Sequence, residues 1–194
     1  MMKEQKMLLV GVGGQGTILA SKIIAWIGLE LGTSVKMSEI HGMAQRGGSV
    51  TTQICFGEQI YSPVIEPGEA DILISFELLE AKRSLHMLKK DGLLIVNDQR
   101  INPMPVLIGA AVYPESILDD LKSHTENIHL VPALNVAQSL GNTRVANIVL
   151  LGSLSALWSD IPKDIWPKAL EANIPSRFKE INFQAFNLGQ NLVK

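Results

Sequence analysis

The feature that most constrains this chain is a glycine-rich turn placed directly after a short apolar run. Residues 7–10 read MLLV and are followed by GVGGQG, from Gly11 to Gly16. An unbroken apolar run of this length is typical of a strand buried on both faces of a parallel sheet. From residue 17, apolar side chains repeat every fourth position as far as Leu31, the pattern of one helix face. The sequence therefore predicts a strand, a tight turn and a helix.

The rest of the chain continues this alternation. A second strand over 34–39 completes a right-handed β-α-β unit spanning 7–39. Later strands are predicted over 49–56, 70–76, 93–96, 110–113 and 128–131. Helices are predicted over 77–90 and 115–124, and two prolines exclude regular structure over 101–105. Residues 49–56 and 59–62 are expected to form a β-hairpin inserted through a turn at Gly57-Glu58.

From Ala133 onward the pattern is helical, and residues 144–158 are apolar almost all round. We therefore expect one domain over 1–194. Its predicted fold is α/β: a Rossmann-like, three-layer αβα arrangement with a mostly parallel sheet, a β-hairpin insertion and a helical C-terminal third.

Composition excludes several function classes. The net charge is −2 and the pI about 6.1, so a broad nucleic-acid-binding surface is not expected. Cys55 is the single cysteine, which excludes an internal disulfide and a four-cysteine zinc or iron–sulfur site within this chain. The uncharged, largely apolar stretch over 145–159 has 15 residues, too short for a membrane span. A reducing cytoplasm is the expected setting.

The glycine loop fits two kinds of ligand site. Gly11-x-Gly13-x-x-Gly16 matches the dinucleotide pattern, in which backbone N–H groups at a helix start approach a phosphate. Glu39 lies 23 residues beyond Gly16, where a ribose-binding acid would be found. Taken alone, these residues favour a free-standing NAD- or FAD-binding oxidoreductase. Gln15, and the long glycine-rich loop after the second strand, weaken that interpretation.

That second loop is dense in polar and glycine residues. HGMAQRGG, from His41 to Gly48, begins 25 residues after Gly16. The Arg46 guanidinium can form a bidentate hydrogen bond with a phosphate or carboxylate. His41 can donate a hydrogen bond or transfer a proton near neutral pH. Loops at the carboxyl ends of parallel strands are where open α/β sheets bind ligands, and both loops are predicted at that edge.

No catalytic set is apparent elsewhere. Asp71, Glu77 and Asp98 are scattered along the chain, and acids of this kind are usually solvated. Cys55 is expected in the core. No catalytic residue and no metal ligand are predicted.

Three segments carry a resemblance to a known family. GVGGQG (11–16), SEIHGMAQRGGSV (38–50) and YSPVIEPGEAD (61–71) resemble the gamma-type subunit of the 2-oxoacid:ferredoxin oxidoreductases, and within it the indolepyruvate branch. The likeness covers nearly the whole chain. The EIHGMAQRGG block is far more specific than the glycine loop.

The resemblance implies an activity shared with other subunits. The full enzyme decarboxylates a 2-oxoacid on thiamine diphosphate and passes two electrons through iron–sulfur clusters to ferredoxin, with formation of an acyl-CoA. In the indolepyruvate branch a large partner subunit holds thiamine diphosphate, magnesium and the clusters. The resemblance implies that this chain is the small partner, with no tightly bound cofactor and no activity alone.

The resemblance also suggests where this chain contributes. Gly11, Gly13, Gly14, Gln15 and Gly16 would face a phosphate or the partner subunit. His41, Gln45, Arg46 and Gly47 would line an inter-subunit cleft that coenzyme A reaches. The same motif could instead serve only assembly, which leaves a purely structural subunit as an alternative. When isolated, the chain is expected to form a homodimer through the surface meant for its partner.

Overall fold

The computed structural model describes residues 3–42 and 47–193 and contains six strands in a single sheet. The strands are β1 (Gln5–Val12), β2 (Ser34–His41), β3 (Ser49–Gly57), β4 (Ala70–Ser75), β5 (Leu88–Asn97) and β6 (Ile128–Val131). The α-helices are α1 (Thr17–Glu30), α2 (Leu78–Ser84), α3 (Met104–Leu107), α4 (Ile117–His124), α5 (Ala133–Ser139), α6 (Ala146–Leu157), α7 (Ile165–Asn173) and α8 (Lys179–Asn191). The predicted α/β class is confirmed.

The sheet is mixed, with the order β2-β3-β1-β4-β5-β6. β1, β4, β5 and β6 are parallel to one another. β3 is antiparallel to both of its neighbours, β1 and β2. The predicted β-α-β unit is therefore present, but β3 separates its two strands.

The predicted hairpin partner of β3 is wrong. Its partner is β2, connected through residues 42–48, and residues 59–62 form no strand. The physical reason is that both edges of β3 are already hydrogen-bonded, one to β1 and the other to β2. The chain after Gly57 instead buries Ile60 and Ile65 against one face of the sheet.

Three further segments differ from the predicted secondary structure. Residues 110–113 form no strand, and the Val112 side chain is 87% exposed. The predicted helix ends at Ser84, a 3-10 turn follows, and β5 begins at Leu88, before the predicted start. The proline-containing segment holds the short helix α3, because Pro105 lies in its first turn, where a backbone N–H is not needed.

The sheet is covered on both faces, which confirms three layers. Along β1, Met7 and Leu9 contribute to the hydrophobic cluster formed with α1 and the C-terminal helices. Leu8 and Val10 point to the opposite face and join the cluster that includes side chains of α2 and α4. This alternation explains why the run from residue 7 to residue 10 is apolar at every position.

The C-terminal third is helical, as predicted, and α6 is its centre. Residues 147–155 of α6 are all buried. Gly152 and Gly189 let α6 and α8 approach closely, since a Cβ at either glycine would lie 2.1 Å from a carbonyl oxygen of the other helix. The Ser153 hydroxyl donates a hydrogen bond to the Gly189 carbonyl at 2.9 Å.

Candidate functional site

The glycine loop connects β1 to α1 at the carboxyl edge of the sheet. Gly16 precedes the helix with a φ of 81°, and Gly14 has a φ of 104°. A Cβ at Gly14 would meet no heavy atom within 4 Å. Positive φ values favour glycine at both positions, and the space beside Gly14 leaves its backbone accessible to a ligand.

Gln15 folds back beneath the loop. Its Oε1 accepts a hydrogen bond from the Val12 N–H at 2.8 Å, and its Nε2 donates to the Phe76 carbonyl at 2.9 Å and to Gln99 Oε1 at 3.2 Å. Gly11 lies against this amide, since a Cβ there would be 2.9 Å from Gln15 Oε1. Gly11 and Gln15 thus shape the loop from below, and the Gln15 amide bonds within the chain.

The glycine loop and the second loop touch each other. The Gly13 N–H donates to the Gly48 carbonyl at 2.8 Å, and Val12 is paired with Ser49 across the β1–β3 ladder. The two loops therefore lie at the same edge, as predicted. Gln45 and Arg46 fall outside the described residues.

A cleft of about 500 Å³ opens beside α1. The residues that line it are Gly13, Gly14, Gly16, Thr17, Ile18, Glu39, His41 and Val50. Four predicted site residues, Gly13, Gly14, Gly16 and His41, are thus brought together. Gly47 lines a different cavity, and Gly11 and Gln15 are not among the residues that line the cleft.

The cleft combines opposite electrostatic features. The first turn of α1 directs backbone N–H groups and the positive end of the helix dipole into it, an arrangement suited to phosphate. Glu39, half-buried on β2, places a carboxylate on the opposite wall. A carboxylate repels phosphate but accepts hydrogen bonds from hydroxyl and amino groups. The cleft therefore suits a ligand with a phosphate at one end and hydrogen-bond donors at the other.

A second cavity, of about 260 Å³, was not predicted. Gly47 and Ser49 line it together with Glu77, a residue 1% exposed. Both Glu77 carboxylate oxygens accept from the Leu79 N–H at 2.8 Å, which caps α2. Burial raises the Glu77 pKa to about 7, and the Glu80 carboxylate adds to that rise. The expectation of a solvated acid at Glu77 is wrong.

Glu80 lies beside Glu77 and is 3% exposed. It accepts a hydrogen bond from the Ser49 hydroxyl at 2.5 Å and forms an ion pair with Arg83 at 2.6 Å. The signal that could have found this pair is its place just after the buried strand β4, with one acid at the N-cap of α2 and the other in its first turn. Cys55 is buried in the core, as predicted.

Within residues 3–42 and 47–193, no group of three or more His, Cys, Asp or Glu side chains is arranged to hold a metal ion. None of the helices in the same part of the chain is long and apolar enough to cross a membrane.

Comparison with known proteins identifies the family. The family described as pyruvate ferredoxin/flavodoxin oxidoreductase matches residues 6–192. This chain belongs to that family. It is 35% identical to the indolepyruvate oxidoreductase subunit IorB of Thermococcus kodakarensis, over 100% of this chain and 98% of that protein.

Two solved structures share the fold of this chain. The gamma subunit of a keto/oxoacid ferredoxin oxidoreductase from Geobacter sulfurreducens is 25% identical, with a TM-score of 0.71 over 96% of both chains. The 2-oxoglutarate:ferredoxin oxidoreductase of Magnetococcus marinus, solved with 2-oxoglutarate, coenzyme A and succinyl-CoA, has a TM-score of 0.74 at 18% identity. It matches 99% of this chain and 31% of its own, so the same fold occurs within a longer polypeptide.

Proposed function

We propose that this chain is the small subunit of a ferredoxin-dependent indolepyruvate oxidoreductase, which converts aryl 2-oxoacids to acyl-CoA. The proposal is supported by four relatives named indolepyruvate oxidoreductase subunit IorB, at 34–36% identity. The chain matches them over nearly all of its length and theirs. In this proposal a large subunit carries thiamine diphosphate, magnesium and the iron–sulfur clusters, and it passes electrons to ferredoxin. The small subunit has no decarboxylase activity alone.

We further propose that the cleft beside α1 forms one wall of the coenzyme A pocket. The observation that carries this proposal is the meeting of the glycine loop, the start of α1, Glu39 and His41 around about 500 Å³. Coenzyme A has phosphates that suit the helix start and ribose and adenine groups that can donate hydrogen bonds to Glu39. Gln45 and Arg46 follow the cleft residue His41 along the chain, and in this proposal they reach the same ligand.

The test uses one charge placed at two positions on the same helix. Ile18 lines the cleft and is 48% exposed, whereas Leu29 is 62% exposed on the last turn of α1. In the assembled complex, Ile18→Glu is expected to raise the KM for coenzyme A about tenfold, because its carboxylate repels the phosphates. The KM for the 2-oxoacid should stay unchanged. Leu29→Glu should alter neither value. An unchanged coenzyme A KM in Ile18→Glu would refute the cleft assignment.

Two further measurements bear on the subunit role. Purified alone, the chain should show no thiamine-dependent decarboxylation, and turnover without a partner would contradict the proposal. In the complex, Arg46→Ala should weaken coenzyme A use or subunit association. Full activity and normal assembly in that variant would remove Arg46 from the site.

The dinucleotide alternative has one observation in its favour, since Gly13, Gly16 and Glu39 line the same cleft. However, β3 lies between β1 and β2 and moves Glu39 two strand spacings, about 10 Å, from β1. Titration of the isolated chain with NADH, followed by fluorescence, distinguishes the two. Micromolar binding that is lost in Glu39→Ala would favour the dinucleotide. Calorimetry with coenzyme A, on the whole complex and on this chain alone, separates a purely structural subunit, which binds no small molecule, from one that contributes to the coenzyme A pocket.

A further inference from the structure

An exposed apolar surface lies outside the cleft, on the segment that follows β5. Its large side chains are unusually open to solvent. They are Met104 (66% exposed), Leu107 (64%), Ile108 (69%) and Val112 (87%). We call these four residues the 104–112 surface. Monomeric soluble proteins rarely expose a group of large apolar side chains close together. Several of them along one short segment therefore indicate a contact with another protein.

Two residues of this surface, Met104 and Leu107, form a rim of the Glu77 cavity. Pro103 lines it beside them, and Glu77, Glu80 and Arg83 are its charged residues. An occupant of the cavity would therefore contact apolar side chains at the mouth, and inside it would meet Glu77 beside the paired Glu80 and Arg83. A long basic side chain has this character, since its stem is apolar and its head is charged.

The two carboxylates differ in how their charge is balanced. Glu80 forms an ion pair with Arg83 and accepts a hydrogen bond from the Ser49 hydroxyl. Glu77 accepts hydrogen bonds from the backbone N–H groups of Leu79 and Glu80, and the nearby Arg83 charge acts to lower its pKa. Among the described residues, however, no Lys, Arg or His side chain forms an ion pair with Glu77. A carboxylate buried without a cation is costly.

The neighbouring Arg100 and Tyr113 do not supply that cation. The Arg100 guanidinium lies over the Tyr113 ring, 4.0 Å from its centroid. Tyr113 is 6% exposed, and its hydroxyl has no hydrogen-bond partner in the described part of the chain. The Glu77 carboxylate therefore has hydrogen-bond donors within the chain but no paired cation among the described residues.

We propose that the 104–112 surface is a docking site for the large subunit, which inserts a Lys or Arg side chain into the adjoining cavity to pair with Glu77. The inference rests on the proposed function for the existence of that subunit, but it concerns a different surface from the coenzyme A cleft. Arg83 balances Glu80, so an ionised Glu77 leaves the cavity with a net negative charge that favours a basic insertion. The apolar rim favours a protein over a free cation.

The first test compares one substitution at two equally exposed leucines. Leu107→Glu places a charge on the rim, and Leu29→Glu places the same charge on α1, where the leucine is 62% exposed rather than 64%. Titrated against the purified large subunit, Leu107→Glu should raise the Kd at least about tenfold, whereas Leu29→Glu should leave it unchanged. Met104→Glu provides a second rim variant if Leu107→Glu folds poorly.

The second test removes the charge inside the cavity. Glu77→Gln retains an oxygen that can accept the Leu79 N–H, and Glu66→Gln, at an exposed position, is its control. Glu77→Gln should weaken association about tenfold, and Glu66→Gln should not. Association of the unsubstituted chain should tighten from pH 6 to pH 8, because pairing with a cation needs Glu77 ionised. Glu80, Arg83, Arg100 and Tyr113, which surround Glu77, are unchanged in Glu77→Gln, so loss of the pH dependence would report on Glu77 itself.

Three results would overturn the inference. The large subunit could bind Leu107→Glu and Glu77→Gln as tightly as it binds the unsubstituted chain. The rim variants could instead dissociate a homodimer of the isolated chain, which would assign the surface to a second copy. Glu77→Gln could raise the KM for coenzyme A with association unchanged, which would assign the cavity to a small molecule. If Ile18→Glu raises the KM for coenzyme A as expected but the rim and Glu77 variants bind the large subunit normally, the proposed function stands without this docking site.

Discussion

The side-chain amide of Asn147 donates a hydrogen bond to the Gly16 carbonyl at 3.1 Å, joining two residues 131 positions apart. Asn147 is 2% exposed, and its Oδ1 accepts from the Ile148 N–H at 2.8 Å. A Cβ at Gly16 would lie 2.6 Å from this amide. The glycine loop is therefore fixed from the C-terminal helical third as well as from β1.

Asn147→Ala should destabilise the chain by about 1–3 kcal/mol, because the buried Ile148 N–H loses its side-chain acceptor and the Gly16 carbonyl keeps only the Ala20 N–H, at 3.2 Å. Asn191→Ala is the control, since Asn191 is exposed and bonds only within its own helix, to the Asn187 carbonyl. Urea unfolding should show a lower midpoint for Asn147→Ala and a change within about 0.5 kcal/mol for Asn191→Ala. Equal midpoints for the two variants would contradict this role.

Gln15→Glu should destabilise the chain by about 1–3 kcal/mol. The change keeps the shape of the side chain but removes the donor to the Phe76 carbonyl and places a carboxylate against it. Gln138→Glu, at an exposed position on α5, should be neutral. Thermal unfolding of the two variants decides the matter. If Gln15→Glu unfolds like the parent, the amide does not hold the loop.

Gly152→Ala and Gly189→Ala should each cost at least about 2 kcal/mol or prevent folding. A methyl group at either position would meet a backbone carbonyl at 2.1 Å, and backbone cannot move aside as a flexible side chain can. Gly42→Ala is the control, because a Cβ there meets nothing within 4 Å. Yield and urea midpoint provide the readout, and a stable, well-expressed Gly152→Ala would show that α6 and α8 can separate.

Glu77 should make the isolated chain less stable as the pH rises from about 5 to 8. The folded-state pKa is raised, to about 7, above the ordinary value of 4.5. The stabilising contribution is therefore complete below about pH 4.5 and is lost as the pH rises through 7. Glu77→Gln should remove this dependence and add about 2–3 kcal/mol at pH 8. A parent and variant with parallel pH–stability curves would contradict a raised pKa of the buried Glu77 carboxyl.

The parallel strands could be predicted because burial on both faces makes them apolar throughout, as in residues 7–10. The position of β3 could not. Alternation in a strand shows which face each residue takes, but not which strand lies beside it. Pairing of Gly11 with Val50 and of Ile40 with Thr51 depends on the whole sheet.

The cleft was predictable in part for a similar reason. Gly13, Gly14, Gly16 and His41 could be placed together, since the carboxyl ends of parallel strands share an edge. The burial of Glu77 was not predictable from its own surroundings in the sequence. It depends on Pro103, Met104 and Tyr113, which come more than 25 positions later in the chain.

The single thiol of Cys55 lies 1% exposed on β3, with Sγ 3.5 Å from the Pro63 carbonyl, and burial raises its pKa. Thiol reagents attack the accessible thiolate, so a maleimide dye will label the native chain only when β3 separates from its surroundings. The labelling rate then measures how often the antiparallel part of the sheet opens. Comparing that rate with and without the large subunit would show whether assembly slows this opening.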